Sequence, residues 1–403
     1  MLLVGTILLH VISQLLVKCK GAQVLDLGTF ATWTLSGGPN ISVPATVPGG
    51  VYTDLSNAGV LKDDLYYRFN DLEYRWVAQQ DWTYTGMFSL SREQLEVSMI
   101  ELDCHGLDTV ANVVINGLEI GKSLNMFVRY IWNAKTATVV GDNMIQITFQ
   151  SPIAYSQDKF DQQVAERHLV PSVCQPDVFQ GGCHANHIRK MQASFSWDWG
   201  PAFPSSGIWL PINLVLFDYP RIKYALWEVK ESSEDVFEIK ISAIMNGPKG
   251  LFSCKMGFAI DDVLTEQLVD EIFDADENNE LIWSVTRNVS KSDIEMWWPN
   301  GRGKQALYDL HISIYLAGME EQEGPVDRIT KRVAFRTVEL VQEPLVQGLS
   351  FYFKVNSLPI FMKGSNWIPA HVLPEQVTRE YIYDLLYSAK EAHMNMLRVC
   401  HHI

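Results

Sequence analysis

The sequence predicts a mainly β protein built from two successive β-sandwiches, followed by a short α/β segment. Three observations support this fold class. The chain has 403 residues, enough for two to three domains. Short Val- and Ile-rich runs separated by turn residues fill most of it. After Glu343-Pro344 the hydrophobic period changes, and a helical pattern appears between two strand-like runs.

Composition restricts the classes of partner. The chain has 32 Lys and Arg against 47 Asp and Glu, for a formal net charge of −15. A surface this acidic repels polyphosphate, so we expect no nucleic acid partner. The 12 Trp residues suit a β-rich fold, and some of them suit a sugar-binding surface because indoles stack on pyranose rings. Most are expected to be core residues.

The N-terminus indicates entry into the secretory pathway. The apolar segment from Leu2 to Val17 is short for a membrane span, and small residues follow it, so we expect a signal peptide that ends near Ala22. An uncleaved anchor is the alternative. No later segment reaches 18 apolar residues, so no membrane association is expected after cleavage. Glycosylation is predicted at the sequons of Asn40 and Asn288.

The cysteines are consistent with an oxidising compartment. Cys174 and Cys183 bracket a polar, turn-rich octapeptide, and we expect them to form a disulfide. Cys104 and Cys254 lie in apolar strand-like runs and are expected to be buried free thiols. A metal site at Cys183, His184 and His187 is an alternative, but a fourth ligand is missing, so we predict no metal. No cofactor is expected.

The first sandwich is predicted from residue 23 to residue 220. Its strand-like runs include VSMIELDCHG, TVANVVING and NMIQITFQS, with turns every ten or so residues. Asn116-Gly117 is a strong signal for a two-residue hairpin turn. Many short strands with this spacing favour a jelly-roll sandwich.

The second sandwich is predicted from residue 221 to residue 341. Six to seven strand-like runs in about 120 residues match the size of an immunoglobulin-like sandwich. No Cys–Trp–Cys spacing is present, which excludes an antibody-type domain.

The remaining segment, residues 342–403, starts with a hairpin that turns at Asn356-Ser357. A helix with Val377, Tyr381, Leu385 and Leu386 on one face should follow, and then a short buried strand, MNMLRV. This strand, helix and strand are the opening of an α/β unit.

Six motifs occur in a specific order along the chain. They are YYRFNDLEYRWVAQQDWTY (66–84), SFSWDWGPAFPSSGIW (194–209), EMWWPNGRGKQALYDL (295–310), FRTVEL (335–340), FYFKVNSLPIFMKGSNWIPA (351–370) and MNMLRV (394–399). Together they resemble the β-mannosidases of glycoside hydrolase family 2, of the animal lysosomal type. The resemblance extends from about Leu25 to Val399.

The resemblance implies a retaining exo-hydrolase that removes terminal non-reducing β-D-mannose from oligosaccharides derived from N-glycoproteins. It also implies residence in the lysosome, with secretion as the alternative. The family's architecture is a sugar-binding jelly roll, an immunoglobulin-like sandwich and a (β/α)₈ barrel, so residues 342–403 would start that barrel. The family places both catalytic glutamates on later barrel strands, beyond Ile403. We therefore expect a truncated chain with no catalytic residue and no activity by itself.

The resemblance assigns substrate-binding roles to six residues. Asp198 would accept hydrogen bonds from mannose hydroxyls, and Trp197 and Trp199 would form walls of the pocket. Asn366 and Trp367 end the first barrel strand, where barrel enzymes place site residues. Arg398 ends the second barrel strand and would position the catalytic nucleophile. The alternatives are a capping Asp198, core tryptophans and a structural loop at residues 366–367.

Two other functions remain open. The chain could be a secreted, non-catalytic carbohydrate-binding module, or a product without an independent function. The expected partner in the favoured case is a β-mannoside oligosaccharide. Nothing in the sequence indicates an oligomeric state.

Overall fold

A computed structural model of the chain describes residues 21–38, 40–167, 174–275, 280–318 and 324–399. Most of the predicted signal peptide and the C-terminal Cys400 therefore lie outside the described residues. Within them, no helix is both long and apolar enough to cross a membrane. The chain divides into two compact units. One consists mainly of residues 217–297 and 306–336, and the other of residues 24–216, 298–305 and those from Thr337 onward.

The larger unit contains most of the secondary structure. Its strands up to the boundary are β1 (Gln23–Asp26), β2 (Thr32–Gly37), β3 (Ile41–Pro44), β4 (Trp82–Leu90), β5 (Met99–Cys104), β6 (Ala111–Ile115), β7 (Leu118–Ser123), β8 (Tyr130–Asn133), β9 (Gly141–Phe149), β10 (Phe195–Trp197), β11 (Gly200–Ala202) and β12 (Ile212–Phe217). Its helices there are α1 (Leu27–Phe30), α2 (Val51–Asn57), α3 (Asn70–Glu73), α4 (Arg92–Leu95) and α5 (Pro152–Ala165).

Two sheets of these strands share one hydrophobic core. The six-stranded sheet has the order β3-β2-β4-β9-β6-β7, and the four-stranded sheet has the order β1-β12-β5-β8. Side chains of β4 alternate between buried and partly exposed, as a strand with one face on the core requires. Trp82 and Tyr84 from one sheet and Leu102 and Leu214 from the other belong to the same buried cluster. The predicted N-terminal sandwich is confirmed.

The hairpin predicted at Asn116-Gly117 joins β6 and β7. Both residues have positive φ, 50° and 83°, which is the conformation of a type I′ turn. The Asn116 side-chain amide also donates to the carbonyl of Ala137 at 2.9 Å and to Asn143 Oδ1 at 2.8 Å. Turn chemistry thus fixes the register of this edge of the sheet.

The smaller unit is a sandwich of seven antiparallel strands. They are β13 (Arg221–Ser233), β14 (Val236–Asn246), β15 (Gly250–Ile260), β16 (Leu264–Ala275), β17 (Leu281–Ser290), β18 (Tyr308–Leu316) and β19 (Asp327–Val333). The sheets have the orders β13-β14-β17 and β16-β15-β18-β19. Ile239, Met256 and Ile312 pack in its core. The strand count matches the predicted immunoglobulin-like sandwich.

After Thr337 the chain forms β20 (Val338–Val341), β21 (Tyr352–Val355), β22 (Leu358–Ile360), β23 (Gly364–Trp367), α6 (Arg379–Glu391) and β24 (Met396–Val399). β21 and β22 form the predicted hairpin. β23 and β24, which precede and follow α6 in the sequence, pair with each other in parallel. Gly364 is required because a Cβ there would lie 1.8 Å from the Met396 carbonyl oxygen. The strand, helix and strand therefore occur in the predicted order, but β24 is not buried as predicted, since Arg398 and Val399 are exposed.

The predicted helical face is wrong at one position. Helix α6 begins at Arg379, capped by the Thr378 side chain, so Val377 precedes it. Tyr381 and Leu386 are 43% and 44% exposed, whereas Leu385 is half-buried. The chain also forms short 3₁₀ turns at Arg75–Gln79, Asp177–Phe179, Ala185–His187, Gln192–Ser194, Lys291–Asp293 and Pro374–Gln376.

Candidate functional site

The WDWG motif forms the tip of a small hairpin. Trp197 and Gly200 are paired across β10 and β11, which leaves Asp198 and Trp199 as the two turn residues. The Asp198 side chain is exposed, and Trp199 is 39% exposed. Trp197 is half-buried, with its ring 6.2 Å from that of Phe179. A carboxylate and one indole are thus presented outward together.

Burial and hydrogen bonds fix the residues that precede the tip of this hairpin. Phe195 is fully buried, and Ser196 has a φ of 85°, which turns the backbone sharply before the tip. The Ser196 hydroxyl lies 2.9 Å from the Phe179 carbonyl oxygen and 3.0 Å from that of Gly200. The Ser196 hydroxyl thus lies within hydrogen-bond distance of both the loop that contains Phe179 and strand β11, and this fixes the direction of the turn.

The predicted disulfide lies in that neighbouring loop. Cys174 and Cys183 are bonded, with their Cα atoms 4.0 Å apart. The amide of Gly182, next to the bridge, donates to the Phe195 carbonyl oxygen at 2.8 Å. The bridge therefore constrains the segment on which the hairpin rests.

The suggested metal cluster loses one ligand to this bridge, because the Cys183 sulfur is bonded to Cys174. The His184 ring stacks on Phe160 at 4.1 Å, and burial together with His187 lowers the pKa of His184. Within the described ranges, no group of three or more His, Cys, Asp or Glu side chains is arranged to hold a metal ion.

A buried ion pair that the sequence did not reveal lies just before the hairpin. Lys190 Nζ is 3.3 Å from Asp108 Oδ2 and donates to Ser194 Oγ at 2.9 Å. Ser194 in turn donates to the Met191 carbonyl oxygen at 2.6 Å. Burial raises the pKa of Asp108, and the Lys190 ammonium opposes that shift. The pair anchors the 3₁₀ turn that leads into β10.

The other three predicted residues lie on the parallel pair. Asn366 is opposite Arg398 in the register of β23 and β24, and Trp367 is opposite Val399. Arg398 donates from one terminal guanidinium nitrogen to Asn366 Oδ1 at 3.1 Å. Asn366 and Arg398 are exposed, whereas Trp367 is half-buried. The structure thus brings Asn366 and Arg398 together at the strand ends.

A groove of about 780 Å³ opens beside these two residues. Its walls are mostly apolar and aromatic, with polar groups from Ser365, Asn366 and Arg398. The described lining consists of Phe351, Tyr352, Phe353, Pro359, Ile360, Phe361, Met362, Gly364, Ser365, Asn366, Met396 and Arg398. This lining includes no carboxylate and none of the three WDWG residues.

Comparison with known proteins shows that the chain is similar to glycoside hydrolases. Residues 33–210 match the glycosyl hydrolase 2 galactose-binding domain-like family. The chain is 39% identical over 393 residues to a β-mannosidase of Bos taurus. It is 33% identical over 382 residues to a probable β-mannosidase of Caenorhabditis elegans. These matches cover 94% and 90% of this chain but 42% and 40% of the relatives.

A solved structure supports the same relationship. The crystal structure of a β-D-mannosidase from Dictyoglomus thermophilum superposes with a TM-score of 0.79 at 30% identity. The chain is homologous to part of the β-mannosidases. The match covers 94% of this chain and 44% of the solved one. An exo-chitosanase of Amycolatopsis orientalis, at 15% identity and a TM-score of 0.67, shares the fold alone.

The β-mannosidase relationship confirms the resemblance inferred from the six motifs. The chain spans about two fifths of the length of the curated relatives that it matches. The match includes both the WDWG hairpin, which lies within the family domain at residues 33–210, and most of the segment from Thr337 onward.

Proposed function

We propose that the WDWG hairpin and the ends of β23 and β24 belong to the substrate-binding, non-catalytic part of a β-mannoside hydrolase. The substrate would be a terminal, non-reducing β-D-mannose residue of an oligosaccharide derived from N-glycoproteins. The observation that carries the proposal is the exposed Asp198 carboxylate at a hairpin tip between two indoles. A carboxylate accepts hydrogen bonds from two adjacent hydroxyls, and an exposed indole packs against the apolar face of a sugar.

Each of the six residues would have a distinct role. Asp198 would accept hydrogen bonds from the sugar hydroxyls, and Trp199 and Trp197 would form pocket walls. Asn366 and Arg398 would line the polar end of the groove, with Trp367 beside them. The 3.1 Å hydrogen bond between Arg398 and Asn366 supports a shared role, since each orients the other.

Hydrolysis with retention needs two carboxylates about 5–5.5 Å apart, one as acid/base and one as nucleophile. The groove beside Asn366 has no carboxylate in its described lining. We therefore propose that a polypeptide of residues 1–403 does not hydrolyse β-mannosides by itself. Catalysis would require carboxylates supplied by further polypeptide of the kind that the longer relatives contain.

The proposed route is the secretory pathway, with delivery to the lysosome or secretion. A disulfide between Cys174 and Cys183 suits an oxidising compartment. Asn40, in the turn between β2 and β3, and Asn288, on β17, have exposed side chains. Both sequons are therefore accessible, and a mobility shift after endoglycosidase treatment of protein from animal cells would test their use.

The substrate-binding role is tested in a chimera. Residues 21–399 replace the matching segment of the bovine β-mannosidase, and kinetics are measured with a chromogenic β-mannoside. The chimera should be active, and Asp198→Ala should lower kcat/KM about tenfold to a hundredfold, as expected for lost charge-assisted hydrogen bonds. Asp142→Ala, at another exposed carboxylate, is the matched control. A folded chimera in which both variants behave alike would contradict the role of Asp198.

The 403-residue polypeptide is assayed in parallel, from a host without β-mannosidase. No turnover is expected with the wild type or with Asp198→Ala. Turnover that depends on Asp198 would overturn the proposed inactivity. Tight binding of mannosides by the inactive polypeptide would favour the carbohydrate-binding module instead.

A further inference from the structure

A short segment C-terminal to β23 packs in the hydrophobic core of the N-terminal sandwich. Residues 371–376 lie within the connection between β23 and α6, and Leu373 is only 2% exposed. Leu373 belongs to the same buried cluster as Leu27, Tyr52 and Tyr84 of the sandwich. This segment, which we call the latch (residues 371–376), therefore couples the α/β segment to the sandwich.

Glu375 places a carboxylate in that contact. Its Oε1 accepts a hydrogen bond from Thr53 Oγ1 at 2.6 Å, and Gln376 Nε2 donates to the same hydroxyl at 3.1 Å. A Cβ at Gly50 would lie 2.3 Å from Glu375 Oε1. Glycine at position 50 thus leaves the space that the carboxylate occupies. Glu375 itself lies in the 3₁₀ turn Pro374–Gln376, before α6 begins.

A second carboxylate lies next in the sequence to Thr53, the residue that donates to Glu375. Asp54 follows Thr53 on α2 and is 1% exposed. It accepts hydrogen bonds from the Thr46 amide and from the Tyr84 hydroxyl, both at 2.9 Å. Both Asp54 oxygens are therefore hydrogen-bonded inside the sandwich, whereas Glu375 is only partly buried.

In the described part of the chain, the following charged and titratable groups lie around the latch and do not neutralise these two carboxylates. Asp108 adds a third carboxylate, but the Lys190 ammonium is already paired with it. Tyr84 and Tyr66 are phenols whose pKa values are raised by burial and by the neighbouring acids. His371 contacts the Tyr66 hydroxyl at 3.3 Å, and burial lowers the pKa of His371. Among these described residues, acids therefore outnumber cations around the latch.

This setting favours the protonated carboxyls. Burial raises the pKa of Glu375, with smaller contributions from Asp108 and Asp54, while the Thr53 hydrogen bond opposes the shift. Burial raises the pKa of Asp54 to about 6. The ionised form of Asp54 also repels that of Glu375, which adds to the cost of ionising Glu375.

We propose that the latch is acid-stabilised: it is held when Glu375 and Asp54 are protonated, and it loosens when both carboxyls ionise. The inference does not depend on the proposed function. Because the folded state binds protons more tightly than the opened state, the closed latch is favoured at low pH. Its stability falls as the pH rises through the folded-state titration of the two groups. A chain working in an acidic compartment would keep the latch closed there.

Hydrogen exchange of the whole chain, followed by mass spectrometry at pH 5.0 and pH 7.5, tests the proposal. Rates of peptides that cover residues 370–378 are corrected for intrinsic exchange. The wild type should open about tenfold more often at pH 7.5. Glu375→Gln, which keeps the size and the acceptor of the side chain, should lose most of that difference. Glu391→Gln, at an exposed position on α6, should retain it.

Asp54→Asn provides an independent arm should Glu375→Gln fold poorly, and it should also reduce the pH difference. A wild type whose latch is equally protected at both pH values overturns the proposal. So does a pH difference that survives unchanged in both variants.

Discussion

Lys190 and Asp108 form an ion pair in which the two side chains are 1% and 3% exposed and the charged atoms are 3.3 Å apart. Removing one partner would leave the other charge buried without compensation. We expect Lys190→Met to destabilise the larger unit by about 3–5 kcal/mol. Urea unfolding followed by tryptophan fluorescence measures the loss.

A surface ion pair provides the control for this prediction. Lys122 pairs with Glu119 at 3.3 Å, and both side chains are more than half exposed. Lys122→Met should change stability by less than about 1 kcal/mol. The double variant Lys190→Met with Asp108→Asn should recover part of the loss, since it removes the uncompensated carboxylate. Equal effects at positions 190 and 122 would contradict the structural role of the buried pair.

Global stability should also depend on the titration of Asp54. The pKa of Asp54 is about 6 in the folded protein, against 3.8 for an Asp side chain in water. Between about pH 4 and pH 6 the folded protein therefore holds a proton that the unfolded chain has released. The contribution is fully present below about pH 4 and is lost as the pH rises to about 6. It amounts to roughly 3 kcal/mol at most.

The thermal midpoint measured from pH 4 to pH 7 tests this dependence. Asp54→Asn should flatten the fall in midpoint between pH 4 and pH 6, whereas Asp142→Asn, on the exposed side of β9, should leave it unchanged. A midpoint that rises over this interval solely because of Asp54 would show that the sign is wrong.

The elements that sequence reasoning found are those that local rules determine. Asn116 and Gly117 predict their turn because two consecutive residues with positive φ are needed there. The alternation along β4 and the helical period of α6 likewise follow from neighbours in the sequence. The exact start of α6 was missed, because Thr378 caps the helix two residues after the last residue of the 3₁₀ turn.

The site was only partly predictable for the opposite reason. A turn at Asp198-Trp199 depends on adjacent residues, but the contact between Thr53 and Glu375 joins positions 322 residues apart. No periodicity reports such a contact, and a lone glutamate before a helix looks like a solvated residue. The glycine at position 50 was the available signal, since the close approach of Glu375 from a distant chain segment requires it.

The Cys174–Cys183 bridge should stabilise the loop that supports the WDWG hairpin. A short loop closed by a disulfide contributes about 2.5 kcal/mol through restriction of the unfolded chain. Reduction of the wild type should therefore lower its unfolding midpoint and speed hydrogen exchange at residues 195–202. The double variant Cys174→Ser, Cys183→Ser should show both effects without reductant and should not respond to it. A wild type that is insensitive to complete reduction would contradict this support.

The free thiols of Cys104 and Cys254 should resist alkylation in the folded protein. Both side chains are almost completely buried, at 0% and 1% exposure. Burial raises the pKa of Cys104 well above its usual range and that of Cys254 to about 11, so little thiolate forms near neutral pH. Iodoacetamide labelling at pH 7.5, read out by peptide mass spectrometry, should modify neither thiol until urea unfolds the protein. The two sites lie in different units, Cys104 in the larger and Cys254 in the smaller, so the denaturant concentration at which each becomes reactive reports the stability of its own sandwich. Labelling of either thiol before any spectroscopic unfolding would show that its strand opens independently of the surrounding core.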